Sequence, residues 1–290
     1  MSRRSALALL AALIPAGHSF ARDLGNDERI KANAPWAVYY GSAAAPDAFA
    51  TYGLVVLDPN YPFGLDDMKA AGSLTLGYVS LGEFNATSRF GGLLRDESML
   101  VSENPNWPGS HVVDLRSRAW RRFVVEEVAP RILAQGFSGL FLDTLDSPLH
   151  LEATDPHRFS GMRDAAIALI SDLRRAHGDI PIMMNRAYAL LGDVNPIIDA
   201  VLAESLVTNY SFATRRCTMV DEAALAGHLA LLAPARAGRR PIPIFSLDYW
   251  DAGDRDGIAA IYARERALGH TPYVATILLD QIVAEPPHVV

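Results

Sequence analysis

The 290-residue chain contains a single cysteine, Cys217. No internal disulfide can form, and no cysteine cluster is available to hold zinc or an iron–sulfur centre. Basic residues are outnumbered: 26 Lys and Arg against 33 Asp and Glu give a formal net charge of -7. A nucleic-acid binder usually presents a basic face, so this balance argues against one. The eight histidines form no H-x-H or H-E-x-x-H pair, which removes support for the metal-dependent barrel hydrolases. G-x-S-x-G, P-loop and G-x-G-x-x-G patterns are missing too, so there is no sign of a nucleophile elbow or a nucleotide-binding turn. No metal or cofactor is therefore expected. No run reaches the roughly 20 apolar residues that a membrane-spanning helix requires.

What is present is the composition of a globular chain: half of the residues are hydrophobic and a fifth charged. The length suits one large α/β domain with an ample core. At the N-terminus, Arg3 and Arg4 precede a short apolar run over 6–14, then Pro15, Gly17 and Ser19-Phe20-Ala21. A basic start, a short apolar stretch and small residues at the -3 and -1 positions describe a cleavable secretory signal. The cut is expected after Ala21, leaving an N-terminal arm over 22–34 and a domain over 35–290. The mature protein is then expected in a periplasm or the medium.

From residue 35 onward a short apolar run, polar residues and an amphipathic stretch recur. The runs are 36–40, 54–58, 74–80, 139–143, 181–185, 200–204, 242–246 and 273–277. Continuous apolar runs of this length suit parallel strands buried on both faces. Between them, a helix capped by Asp114 should run to Leu133, interrupted at Pro130. Others are expected over 63–71, 162–176, 223–232 and 258–268. Eight strands alternating with helices in about 250 residues is the arithmetic of a single-domain (β/α)₈ TIM barrel. The rival, a doubly wound open sheet, would commonly show a glycine-rich turn after its first strand, where this chain has Tyr40-Gly41-Ser42-Ala43.

In such a barrel the chemistry sits at the C-terminal mouth. The strand ends there carry Asp58, Glu83, Asp143 with Asp146, Asn185 with Arg186, Glu204, and Asp248. Tyr40, Tyr78, Tyr210, Tyr249 and Trp250 join them. Glycoside hydrolysis needs two carboxyl groups flanking the scissile bond, and aromatic faces stack on sugar rings. Asp143 and Glu204 are the candidate catalytic pair, since each ends a strongly apolar strand. Capping remains the plainer role open to Asp143, and it is less natural for a glutamate. Glu83 is a candidate substrate ligand or a rim salt bridge, Asp146 a sugar ligand or a helix cap, and Asp58 a ligand or a turn former. Asn185 and Arg186 would bind substrate or orient the acids, with Arg186 equally able to pair with Glu204. Asp248 is a candidate ligand for a substrate amine. Tyr249 and Trp250 belong to the cleft or to the core.

The same residues carry a family likeness. Trp36-Ala37-Val38-Tyr39-Tyr40-Gly41, Gly77-Tyr78-Val79-Ser80-Leu81-Gly82-Glu83 and Gly136-Phe137-Ser138-Gly139-Leu140-Phe141-Leu142-Asp143-Thr144-Leu145-Asp146 resemble the endo-α-1,4-polygalactosaminidases. Asn185-Arg186, Ala203-Glu204-Ser205 and Asp248-Tyr249-Trp250 extend the resemblance to that family, glycoside hydrolase family 114, and to the related hydrolase domain of the Pel exopolysaccharide system. It implies a (β/α)₈ barrel that cleaves α-1,4-linked galactosamine or N-acetylgalactosamine polymers. Asp143 would be the nucleophile and Glu204 the general acid/base, with Glu83, Asp58, Asp146 and Asp248 lining the groove. The expected partner is thus a polysaccharide. The alternatives are a non-catalytic exopolysaccharide-binding barrel and a hydrolase of another α-linked glycan.

Overall fold

The eight apolar runs form one sheet of eight parallel strands in the computed structural model, which describes residues 29–94, 96–238 and 240–287. The strands are β1 (Trp36–Tyr39), β2 (Leu54–Leu57), β3 (Leu74–Ser80), β4 (Gly139–Asp143), β5 (Ile182–Asn185), β6 (Ala200–Glu204), β7 (Ile244–Tyr249) and β8 (Thr271–Ala275). Each pairs with the next in chain order, as a (β/α)₈ barrel requires. The barrel is nearly closed. β8 contains Pro272, which has no N–H to donate, a residue that sheets tolerate at an edge. A side chain bridges the seam instead, where Trp36 Nε1 donates to the Thr271 carbonyl at 2.9 Å. The expected signal segment and the start of the arm lie outside the described residues. No helix among the described residues is long and apolar enough to cross a membrane.

Both strand faces are buried, which is why the runs read as continuous. Trp36, Val38, Leu54, Val56, Phe141, Met183, Leu202 and Phe245 pack together inside the barrel. Their neighbours in sequence, among them Val55, Leu142, Met184 and Val201, pack outward against the helices. Successive side chains of a strand point to opposite faces. Inward-facing Phe141, Met183 and Leu202 therefore fix Asp143, Asn185 and Glu204, two residues on, as side chains aimed at the barrel axis.

Several boundaries differ from those read in the sequence. β7 starts two residues later than expected, after Pro243, and β8 two residues earlier, at Thr271. The helix before β4 begins at Arg118, and its cap is Ser117, whose side chain accepts from Trp120 N. Asp114 instead accepts from Arg116. The helix does change character near Pro130: a π-helical stretch over Phe123–Val128 precedes an α-helical turn at Ala129–Leu133. A widened turn accommodates a proline ring that would collide with the carbonyl four residues earlier. Two insertions without long apolar runs escaped the sequence reading. Between β3 and β4 lies a three-stranded antiparallel sheet, Glu83–Asn85, Leu100–Glu103 and Ser110–Val113. Between β6 and β7 lies a hairpin, Thr208–Ser211 with Arg216–Met219.

Candidate active site

The C-terminal ends of β4, β5 and β6 converge on a cavity of about 670 Å³. Asp143 and Glu204 face each other there across Asn185. The Asn185 amide nitrogen donates to Asp143 Oδ1 at 2.8 Å and to Glu204 Oε2 at 2.6 Å. Only the nitrogen end of an amide can sit between two acceptors, and both of its hydrogens are used. The two carboxylate oxygens are therefore at most about 5.4 Å apart, the two bonds laid end to end. Glu204 Oε1 accepts from the Tyr249 hydroxyl at 2.6 Å, and the Tyr78 hydroxyl lies close to Asp143.

Burial pushes the Asp143 carboxyl up to about 6, and the charge of Glu204 pushes in the same direction. The donors on Asn185, the Thr144 backbone and Tyr78 pull it back. Burial and nearby acids, Asp143 with Glu204 for Tyr40 and Tyr249 and Asp143 with Glu83 for Tyr78, hold the three hydroxyls well above their ordinary value, so all three remain donors at any working pH. Tyr40 and Tyr78 pack edge to face, with centroids 5.2 Å apart, on the floor of the cavity.

The strand ends carry a shared backbone feature. Thr144, Arg186, Ala187 and Ser205 have φ of 68°, 49°, 45° and 55°, and none is glycine. Each lies one or two residues after the end of β4, β5 or β6. Left-handed non-glycine residues cost on the order of 1 kcal/mol or more apiece and persist where the surroundings over-determine them. Here they turn the chain sharply so that the last residue of each strand stays on the axis.

Other expected site residues also reach the cavity. Asp146, at the first turn of the helix Asp146–Thr154, pairs with Arg186 Nε at 2.7 Å and accepts from Ala187 N at 3.1 Å. Arg186 thus pairs with Asp146, and the pair lines the wall beside Glu204. Asp58 lines the opposite side. It also accepts from Asn60 N at 2.6 Å, so it shapes the turn as well as the wall. Glu83 lines the cavity too, but most of its accepting capacity is engaged. Asn104 Nδ2 donates at 2.8 Å, Ser110 Oγ at 2.7 Å and Ser147 Oγ at 2.5 Å.

Three expected residues do not line the cavity. Tyr210 lies on the hairpin, packed edge-on against Phe212 with centroids 5.1 Å apart. Trp250 turns away to donate from Nε1 to Asp254 at 2.8 Å. Asp248 lies one residue before inward-facing Tyr249, so it points outward, and it is 1 % exposed. Its Oδ1 accepts from Val207 N at 3.1 Å, Thr208 N at 2.8 Å and Thr208 Oγ1 at 2.9 Å. A substrate amine cannot reach it. Asp248 pins the turn that follows Glu204, so its contribution to the site is indirect. The sequence reading missed Asn104, Trp107, Ser110 and Ser147, which all line the cavity. The one available signal was a tryptophan inside the turn-forming run Asn104-Pro105-Asn106-Trp107-Pro108-Gly109.

Behind β7, Asp248 meets Glu265 and His270, all three buried. Asp248 Oδ2 and Glu265 Oε1 have no donor partner among the described residues, which a proton shared between the two carboxyls satisfies. Burial pushes Asp248 well above the carboxylate range and Glu265 from 4.5 up to about 7. A raised carboxyl stabilises the fold fully below its unfolded value and loses that contribution as pH rises through its folded value. His270, carried down to about 4 by burial, acts with the opposite sign, losing stability as pH falls from 6.5. Glu265→Gln removes the carboxyl's contribution. With the opposite contribution of His270 left uncompensated, the melting temperature of the variant relative to the parent should therefore rise between pH 5 and pH 7, as read by thermal unfolding. A parent-to-variant difference that stays constant with pH refutes this assignment.

Among the described residues no group of three or more His, Cys, Asp or Glu side chains is arranged to hold a metal ion. A profile described as glycoside-hydrolase family GH114 matches residues 20–288. The chain is 26% identical over 249 residues to an uncharacterized protein of Deinococcus radiodurans, spanning 81% of this chain and 77% of that one. It superposes on the glycoside hydrolase domain of PelA from Pseudomonas aeruginosa with a TM-score of 0.77 and 27% identity, covering 87% of this chain and 98% of that one. Aspergillus fumigatus Ega3, solved in complex with galactosamine, aligns with a TM-score of 0.66 over 89% of this chain and 97% of its own. At 13% identity that likeness speaks for the fold alone.

Proposed function

The chain belongs to glycoside-hydrolase family GH114 and is a glycoside hydrolase, and from that premise we propose that it cuts α-1,4-linked galactosamine polymers from within, through Asp143 and Glu204. The single observation that carries the site assignment is the shared Asn185 amide between those two carboxyls. Retaining glycosidases hold their carboxyls about 5–5.5 Å apart, and inverting enzymes about 6.5–9.5 Å. A common donor supports the shorter separation, and so a retaining reaction. Asp143 would attack the anomeric carbon while Glu204 protonates the departing glycosidic oxygen. Glu204 would then take a proton from the water that releases the sugar. The resemblance of the strand-end motifs supports galactosamine. Five carboxyl groups line the cavity against two guanidiniums, which favours a sugar carrying a free ammonium. The leading segment 1–21 supports action outside the cytoplasm.

One digestion tests the reading. Deacetylated and fully acetylated galactosamine polymers are incubated with the protein, and products are followed by mass spectrometry and NMR. We expect a ladder of oligosaccharides, released faster from the deacetylated polymer, with the α configuration in the first product. Polymer retained on an affinity gel with no oligosaccharide released would support a holding role instead. Equal cleavage of a neutral galactan would overturn the amino-sugar assignment.

A further inference from the structure

The two insertions on the catalytic rim meet ring to ring. Trp107, from the insertion after β3, lies against Phe212, from the hairpin after β6, with centroids 5.5 Å apart and planes at 83°. In the strand order, β4 and β5 lie between the two insertions, so this contact joins structures on either side of the strands that carry Asp143 and Asn185. Both rings are unusually open for their size, Trp107 at 46% and Phe212 at 42% exposure. Trp107 lines the same cavity as the two acids.

The loop that carries Trp107 is held firmly. Trp107 N donates to the Asn104 carbonyl at 3.2 Å, and Ser110 N donates to the Trp107 carbonyl at 3.0 Å. The side chains of Asn104 and Ser110, one on each side of Trp107, both donate to Glu83. Ser147, just after β4, donates to the same carboxylate. Glu83 therefore ties both ends of the Trp107 loop to the wall of the barrel mouth. A carboxylate with three such donors has little left to offer a substrate, whereas a fixed, exposed indole face has a great deal. A ring already held in place stacks on a ligand without paying to be ordered.

We propose that Trp107, positioned by Glu83 and braced by Phe212, is the platform of a second sugar subsite, away from the cleaved bond, that takes an amino-sugar residue of the same polymer. The apolar face of the sugar stacks on the indole, and an adjacent ammonium is attracted to the ring's π face. This rests on the polymer reading above and deepens it: the enzyme holds its chain at two places, the acid pair and the aromatic platform.

The test compares a long deacetylated galactosamine polymer with a short activated aryl glycoside of galactosamine, using the parent, Trp107→Ala, Trp107→Phe and Glu83→Gln. For Trp107→Ala, KM for the polymer should rise roughly 5- to 20-fold with little change in kcat. The loss in kcat/KM on polymer should exceed the loss on the aryl substrate by a similar factor. Trp107→Phe should recover most of the polymer KM. Glu83→Gln should shift the polymer KM in the same direction as Trp107→Ala, as expected of a residue acting through the loop. Unchanged polymer KM in Trp107→Ala overturns the subsite while leaving the hydrolase reading intact. Equal losses on long and short substrates also overturn it, since they place Trp107 at the cleaved bond or in the folded core. A parent protein that neither cuts nor retains the polymer overturns both readings together.

Discussion

Asp143→Asn should leave a folded protein whose turnover of the natural polymer falls by at least about 10³-fold, because the attacking carboxylate is replaced by an amide that cannot form the glycosyl intermediate. The substitution is nearly isosteric, and it removes a carboxyl that burial and Glu204 already hold near pH 6, so the fold should not suffer. Glu204→Gln should cost roughly 10²- to 10⁴-fold on the polymer, the usual scale of lost general acid–base catalysis. Its deficit should shrink on aryl glycosides with good leaving groups, which need little protonation to depart. The two variants therefore separate the roles. A large loss on every substrate marks the nucleophile, and a loss that tracks leaving-group pKa marks the acid. Steady-state kinetics beside circular dichroism reads both. Full activity in either variant removes that residue from the reaction, and an exchange of the two patterns exchanges the roles.

How much of this was legible in the sequence follows from the physics of a buried parallel sheet. Eight apolar runs and their spacing give the strand count, because strands covered on both faces need no polar residue to interrupt them. The same continuity hides which side of each strand faces the axis. Asp143, Asn185 and Glu204 share their strand's inward phase with Phe141, Met183 and Leu202. Asp248 is out of phase with Phe245 and Leu247 and faces the helices, yet in the sequence it looks like one more acid at a strand end. The chemistry of an aspartate does not announce its direction; only the alternation of β7 does, and every residue of that strand is buried. Glu83 was legible as a mouth residue but not as one held by three donors, since these lie up to 64 positions away. Trp107 sits in a turn with no periodic pattern at all. The left-handed turns at Thr144, Arg186 and Ser205 leave no sequence mark because none of them is glycine. Tertiary contacts hold them.

The residue with the greatest leverage outside the acid pair is Asn185. Among the described residues its amide is the one group bonded to both carboxyls, and it resists their mutual repulsion by placing a donor between them. Asn185→Ala removes two charge-assisted bonds, each worth about 1.5–3 kcal/mol. Turnover of the polymer should fall by roughly 10²-fold or more, while KM changes less, since the amide's donors are committed to the acids. The variant also carries a second signature with a defined sign. The bond from Asn185 lowers the Asp143 carboxyl pKa, against the upward push of burial and Glu204. Without it, Asp143 holds its proton to higher pH. A protonated nucleophile cannot attack, so in the parent kcat/KM should rise with pH through about 6, and in Asn185→Ala that acidic limb should move to higher pH. Asn185→Asp tests the same point from the other side. A third carboxyl in that position adds repulsion in place of a donor, and its limb should move at least as far. A pH–rate profile that keeps its acidic limb in place in both variants would mean that the coupled pair is not what limits the reaction at low pH.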